Sequence, residues 1–111
     1  MNPILKLDAT AQAELIKKGE ITPVELVDLS IAAVEKLNPT LNAVITPMFE
    51  QARDLAKKAT IDAPFAGVPM MLKDGIAAYK GVPLSTASAL FKNNIAKQDS
   101  ELVKRLSLIH I

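Results

Sequence analysis

The chain has 111 residues with thirteen basic and twelve acidic side chains, a near-neutral balance without the basic field that phosphate or nucleic-acid binding requires. Half of the residues are apolar and 4% aromatic, which describes a globular chain with an aliphatic core rather than a disordered one. It contains no cysteine and one histidine, His110, which excludes disulfides, thiolate chemistry and a zinc site built on that histidine alone.

The first segment, "LDATAQAELIKKGE", places Asp8 as an N-cap, sets Ala11, Leu15 and Ile16 on one side of a helix, and offers Gly19 as its stop. In "TPVELVDLSIAAVEKLNP" the signals are denser. Thr22 caps, Pro23 suits the first helical position, Glu25 completes a capping box, and Val24, Val27, Ile31 and Val34 recur at helical spacing until Asn38 and Pro39 end the run. The short branched stretch Asn42 to Thr46 fits a strand, although helix and strand are hard to separate at this length, and Thr46-Pro47 reads as the start of a third helix. That helix has Phe49, Ala52, Leu55 or Ala56, and Ala59 on its apolar face. Between Asp62 and Pro83 prolines and glycines break any helical period, and Val68 to Leu72 is the one run fit for a buried strand, turned at Gly75. Residues 83–98 read as loop with a short helical turn, before Asp99 or Ser100 caps a last helix carrying Leu102, Val103 and Leu106. No apolar run approaches the ~20 residues that span a bilayer, and the start lacks the pattern of a secretory leader, so no membrane partner is expected and a cytoplasmic location is the default.

The chemistry concentrates at "FAGVPMMLKDG", where an apolar strand would end on Lys73. Lysines are mostly exposed, and one reading makes Lys73 an ordinary exposed strand end paired with Asp74 or a nearby carboxylate. A Walker phosphate loop does not fit, because Leu72 and Asp74 stand where glycine and Ser or Thr are needed. A Schiff-base lysine stays open, although nothing points to pyridoxal phosphate. The third reading is a lysine that accepts a proton from a serine nucleophile. Such a lysine must be neutral, and lowering its pKa from ~10.4 to ~7–8 takes on the order of 4 kcal/mol of differential solvation and charge interaction. Burial beside Val68, Met70, Met71 and Leu72 would act in that direction, and strand alternation would turn Asp74 away from Lys73, toward loop backbone. Asp74 reads equally as a turn residue before Gly75.

The segment "PFAGVPMMLKDG", preceded by "DATAQAELIKKGEITPVELVDLSIAAVEKLNPTLNAVITPMFEQA" and followed by "GVPLSTAS" and "DSELVKRL", resembles the N-terminal part of the amidase signature family. The resemblance runs in order from Leu7 to Leu106. It implies an α/β fold in which N-terminal helices and the first strands belong to a larger mixed-sheet domain, here truncated. It also implies hydrolysis of carboxamides by acyl transfer through a serine nucleophile, a bridging serine and a lysine, without metal or organic cofactor. The lysine of the family motif falls on Lys73, with Asp74 and Ser88 in loop-positioning roles. A small-molecule amide is the implied partner, and homo-oligomers are left open.

The family's two catalytic serines lie in a glycine- and serine-rich stretch further downstream, so the isolated chain is expected to be inactive. Ser30, Ser85, Ser88, Ser100 and Ser107 lack the elbow or glycine-rich context of a nucleophile. Ala87 stands where the family often has glycine, which predicts a different path for that loop. Residues 107–111, "SLIHI", diverge from the family, and Ile109 to Ile111 read either as a truncated strand or as an unrelated, poorly ordered tail in which His110 is incidental. Two further readings remain: the glutaminase-type subunit of a tRNA-dependent amidotransferase, and a non-catalytic helical interaction module. The initial segment more resembles free-standing amidases.

Overall fold

The computed structural model describes residues 1–110. It contains a 3-10 turn at Pro3–Lys6, then α1 (Ala9–Lys17), α2 (Pro23–Leu41) and α3 (Phe49–Lys58), a second 3-10 turn at Ala89–Phe91, and α4 (Glu101–His110). The chain divides into two compact units, Met1–Pro69 with residues 109–110, and Met70–Leu108.

In the first unit the helix boundaries follow local chemistry. Asp8 accepts a hydrogen bond from the Ala11 amide at 2.8 Å, and Gly19 leaves α1 at φ 72. The capping box of α2 is complete: the Glu25 amide donates to Thr22 Oγ1 at 3.2 Å, while the Thr22 amide and hydroxyl donate to Glu25 Oε2 at 2.8 and 2.7 Å. These bonds from the Thr22 backbone and side chain hold the Glu25 carboxyl below its ordinary range. A depressed carboxylate stabilises the fold above its unfolded pKa and loses that contribution as pH falls through its folded pKa. Loss of the N-cap in Thr22→Ala should cost about 1 kcal/mol at pH 7. That cost should shrink as melting is repeated below about pH 4, and an unchanged cost across pH 3–7 would contradict the assignment.

α2 buries two faces. Leu26, fully buried, joins Ala13 and Ile16 of α1 with Ile21 and Val68, and Phe65 packs against this cluster. Val27 and Ile31 meet Ala56 of α3, flanked by Val24, Phe49 and Ala52. A buried leucine contributes on the order of 2–3 kcal/mol, so these two seams, rather than the caps, hold the helices together. Arg53 of α3 also donates to Asp28 of α2 at 2.8 Å.

Several expected features differ. α2 passes through Pro39 and ends at Asn42, which takes the left-handed φ of 49; only one intrahelical bond is forfeited so near the end, and the Asn42 amide still donates to the Asn38 carbonyl at 2.7 Å. Asn42 to Thr46 forms no strand. The Asn38 side chain brackets Val44, donating to its carbonyl and accepting from its amide at 2.8 Å each, so the groups a ladder would use are taken. α3 starts after Met48 rather than at Thr46-Pro47.

Val68 to Leu72 is likewise not a strand, and among the described residues the α/β expectation reduces to helices and an isolated antiparallel bridge, Pro83 to Ile95. A strand exists only by pairing, and no neighbouring segment offers this run a ladder. Residues 107–110 are neither strand nor loose tail but the end of α4. The Phe65 amide donates to the Ile109 carbonyl at 2.9 Å, the His110 ring lies 5.7 Å from that of Phe65, and His110 Nδ1 is 3.1 Å from the Val68 carbonyl oxygen, a bond that requires the proton on Nδ1. Ile111 lies outside the described residues. No described helix is long and apolar enough to cross a membrane.

Candidate active site around Lys73

Lys73 lies in the second unit, at the start of a turn over residues 74–76, and its carbonyl accepts from the Ala77 amide at 3.3 Å. The expected burial is absent: Lys73 is exposed, and Met70 and Met71 beside it are 40% and 74% exposed. No second apolar layer covers this segment among the described residues, so nothing desolvates the amine. Among those residues Lys73 also makes no ion pair, which removes the reading of a lysine tied to Asp74.

Asp74 faces another way. Its Oδ1 accepts from the Ser85 amide at 2.7 Å and the Thr86 amide at 3.3 Å, and its Oδ2 accepts from the Ser85 hydroxyl. The Ser85 hydroxyl, and then the two amides, hold the Asp74 carboxyl below its usual range against the opposing effect of partial burial. The receiving loop is framed by backbone pairing between residues 81–84 and 94–96: the Gly81 amide donates to Ala96, Ala96 to Val82 and Leu84 to Asn94, at 2.8, 3.0 and 2.8 Å.

Within that loop Thr86 and Ala87 have φ of 52 and 57. A left-handed alanine costs roughly 1–2 kcal/mol, so Ala87 keeps the backbone region a glycine would favour and bears its strain. Ala87→Gly should relieve that strain, offset by about 0.5–1 kcal/mol of added unfolded-chain entropy. A small net stabilisation is expected in urea unfolding; destabilisation beyond about 1 kcal/mol would show that the strain is not real.

Ser88 does not meet Asp74 through any hydrogen bond; its hydroxyl accepts from the Leu90 amide at 3.3 Å, capping the 3-10 turn. Sequence reasoning missed Ser85 as the partner, because a contact across eleven residues of irregular chain has no periodic signal. The other serines serve local structure: Ser30 and Ser107 donate to carbonyls one turn back at 2.9 Å, and Ser100 accepts from the Val103 amide at 3.3 Å. Among the described residues no group of three or more metal-ligating side chains converges. Two open surface concavities are lined by residues of α2, its flanks and the start of α3, and neither includes Lys73, Asp74 or Ser88.

Comparison with known proteins identifies the family. The family model named Amidase matches residues 25–108. A 6-aminohexanoate-cyclic-dimer hydrolase of Pseudomonas sp. (strain NK87) is 55% identical over 74 residues, covering 67% of this chain and 15% of that protein. One of the subunits of the glutamyl-tRNA(Gln) amidotransferase of Lachnoclostridium phytofermentans is 32% identical over 111 residues, covering 93% of this chain and 22% of that protein. A solved structure of 6-aminohexanoate cyclic dimer hydrolase complexed with substrate has a TM-score of 0.86 and 41% identity, covering 93% of this chain and 21% of that one. The chain thus spans between 15% and 22% of the length of these relatives. With the family model matching most of the chain and the fold matching a solved member, the chain belongs to the amidase family.

Proposed function

We propose that this chain is the N-terminal part of an amidase that hydrolyses carboxamide C–N bonds by acyl transfer, with Lys73 as its proton acceptor. The observation that carries the reading is the Lys73 turn itself. It lies inside the segment matched to the family, its amine pairs with no carboxylate among the described residues, and the adjacent Asp74 is committed to the 85–86 loop. In this mechanism neutral Lys73 takes a proton through a bridging serine, a second serine attacks the amide carbonyl, and backbone N–H groups stabilise the oxyanion. The amine departs with the returned proton, and water releases the acid. Both serines, and the apolar cover that would keep Lys73 neutral, come from the remainder of an amidase domain. There Val68 to Leu72 would find the strand partners it lacks here.

The 55% identity to a 6-aminohexanoate-cyclic-dimer hydrolase favours a small aliphatic amide as substrate. The test is a graft in which this chain replaces the corresponding segment of that hydrolase. The graft should hydrolyse 6-aminohexanoate cyclic dimer and the 111-residue chain alone should not. A folded but inactive graft, or activity in the chain alone, would sink the proposal. The 32% identity to an amidotransferase component supports a second reading, a glutaminase-type enzyme. Ammonia released from glutamine, and none from the cyclic dimer, would select it.

A further inference from the structure

We infer that Ser85 is a positioning residue that binds the Asp74 carboxylate through its amide and hydroxyl and so keeps the neighbouring Lys73 amine from pairing with it. Asp74 follows Lys73 directly in the chain, and without other partners its carboxylate is the nearest anion available to that ammonium. Ser85 donates to both Asp74 oxygens and the Thr86 amide adds a third bond. The Thr86 hydroxyl donates to the Ser85 carbonyl at 2.7 Å, and the left-handed Thr86 and Ala87 turn the chain there. The other carboxylates of Met70–Leu108 are engaged as well: Asp99 accepts from the Lys80 amide at 2.7 Å and Glu101 from Arg105 at 2.9 Å. Six basic residues share this unit with those three acids. Among the described residues Lys73 is thus left without a carboxylate partner in a unit where basic side chains outnumber acidic ones.

This inference rests on the reading of Lys73 as the proton acceptor, but it is tested without catalysis. Competitive acylation of the 111-residue chain by acetic anhydride reports how often each lysine amine is neutral, with the exposed Lys58 as internal reference. In Ser85→Ala Asp74 Oδ1 keeps its two backbone amides but Oδ2 loses its hydroxyl donor, and the oxygen so released should pair with Lys73 and lower its labelling relative to Lys58 by about threefold, the effect of one nearby charge in a largely aqueous setting. Adding Asp74→Asn should restore the wild-type ratio, a rescue that mere loosening of the loop would not produce. In the wild-type chain the Ser85 and Thr86 amide proton resonances should titrate with Asp74. An unchanged labelling ratio in Ser85→Ala, failure of the double variant to restore it, or amides that ignore Asp74 would each overturn the inference. If labelling behaves as expected but Lys73→Ala leaves the grafted enzyme active, the catalytic reading fails and the Ser85 contact stands; the opposite pattern retires Ser85 alone.

Discussion

Lys73→Ala in the grafted enzyme is expected to lower amide hydrolysis by about a thousandfold, within the range for loss of a general base. The same change should leave the stability of the 111-residue chain within about 0.5 kcal/mol, as for other exposed positions without special contacts. The two halves of this result belong together. Lys73 is exposed and makes no ion pair among the described residues, so nothing in the fold depends on its side chain. A large kinetic effect beside an unchanged melting curve is therefore the signature of chemistry rather than of unfolding. Lys73→Arg should not rescue, because a guanidinium with a pKa above ~12 cannot accept a proton near neutrality. Hydrolysis within about tenfold of wild type in either variant would remove Lys73 from the mechanism.

The largest effect on stability is expected at Gly67, in the same "GVP" motif. Gly67 has φ 79, and a Cβ placed there would sit 2.7 Å from both Cβ and Cγ of Pro23 and 3.2 Å from Cδ1 of Ile16. Pro23 is the rigid first residue of α2 and Ile16 belongs to the buried cluster of α1, so neither can withdraw freely. Left-handed strain of ~1–2 kcal/mol and overpacking of ~1–3 kcal/mol together place Gly67→Ala near a loss of about 3 kcal/mol. Gly19 supplies the control. Its φ is 72 but nothing lies within 4 Å of its added Cβ, so Gly19→Ala should lose only the strain, about 1 kcal/mol. Urea unfolding of the two variants separates close approach from backbone conformation, and equal losses would refute the steric account.

The start of α2 was legible in the sequence because its information is local. Thr22, Pro23 and Glu25 satisfy their own backbone groups within one turn, and the same holds for Asp8 before α1 and Ser100 before α4. The motif at Gly67 to Asp74 was legible as a pattern, which is why Lys73 could be singled out before any geometry was known. Leu26 was not: a helix with apolar residues on two faces gives no signal of which one meets α1 and which meets α3.

What the sequence alone determined, then, is where the capped helices α1, α2 and α4 begin, though not α3, and which residue bears the motif's charge, since these follow from neighbours a few positions apart. Tertiary structure alone decided the rest. Asn38 turned an expected strand into a bracketed loop by taking both backbone groups of Val44. Val68 to Leu72 stayed unpaired because strand formation requires a partner that sequence pattern cannot supply. His110 was drawn against Phe65 and Val68, forty-odd residues away, and Ser85 took the carboxylate beside Lys73. The Ser85 and His110 bonds join residues eleven and forty-two positions apart, whose free energy depends on what the fold brings near.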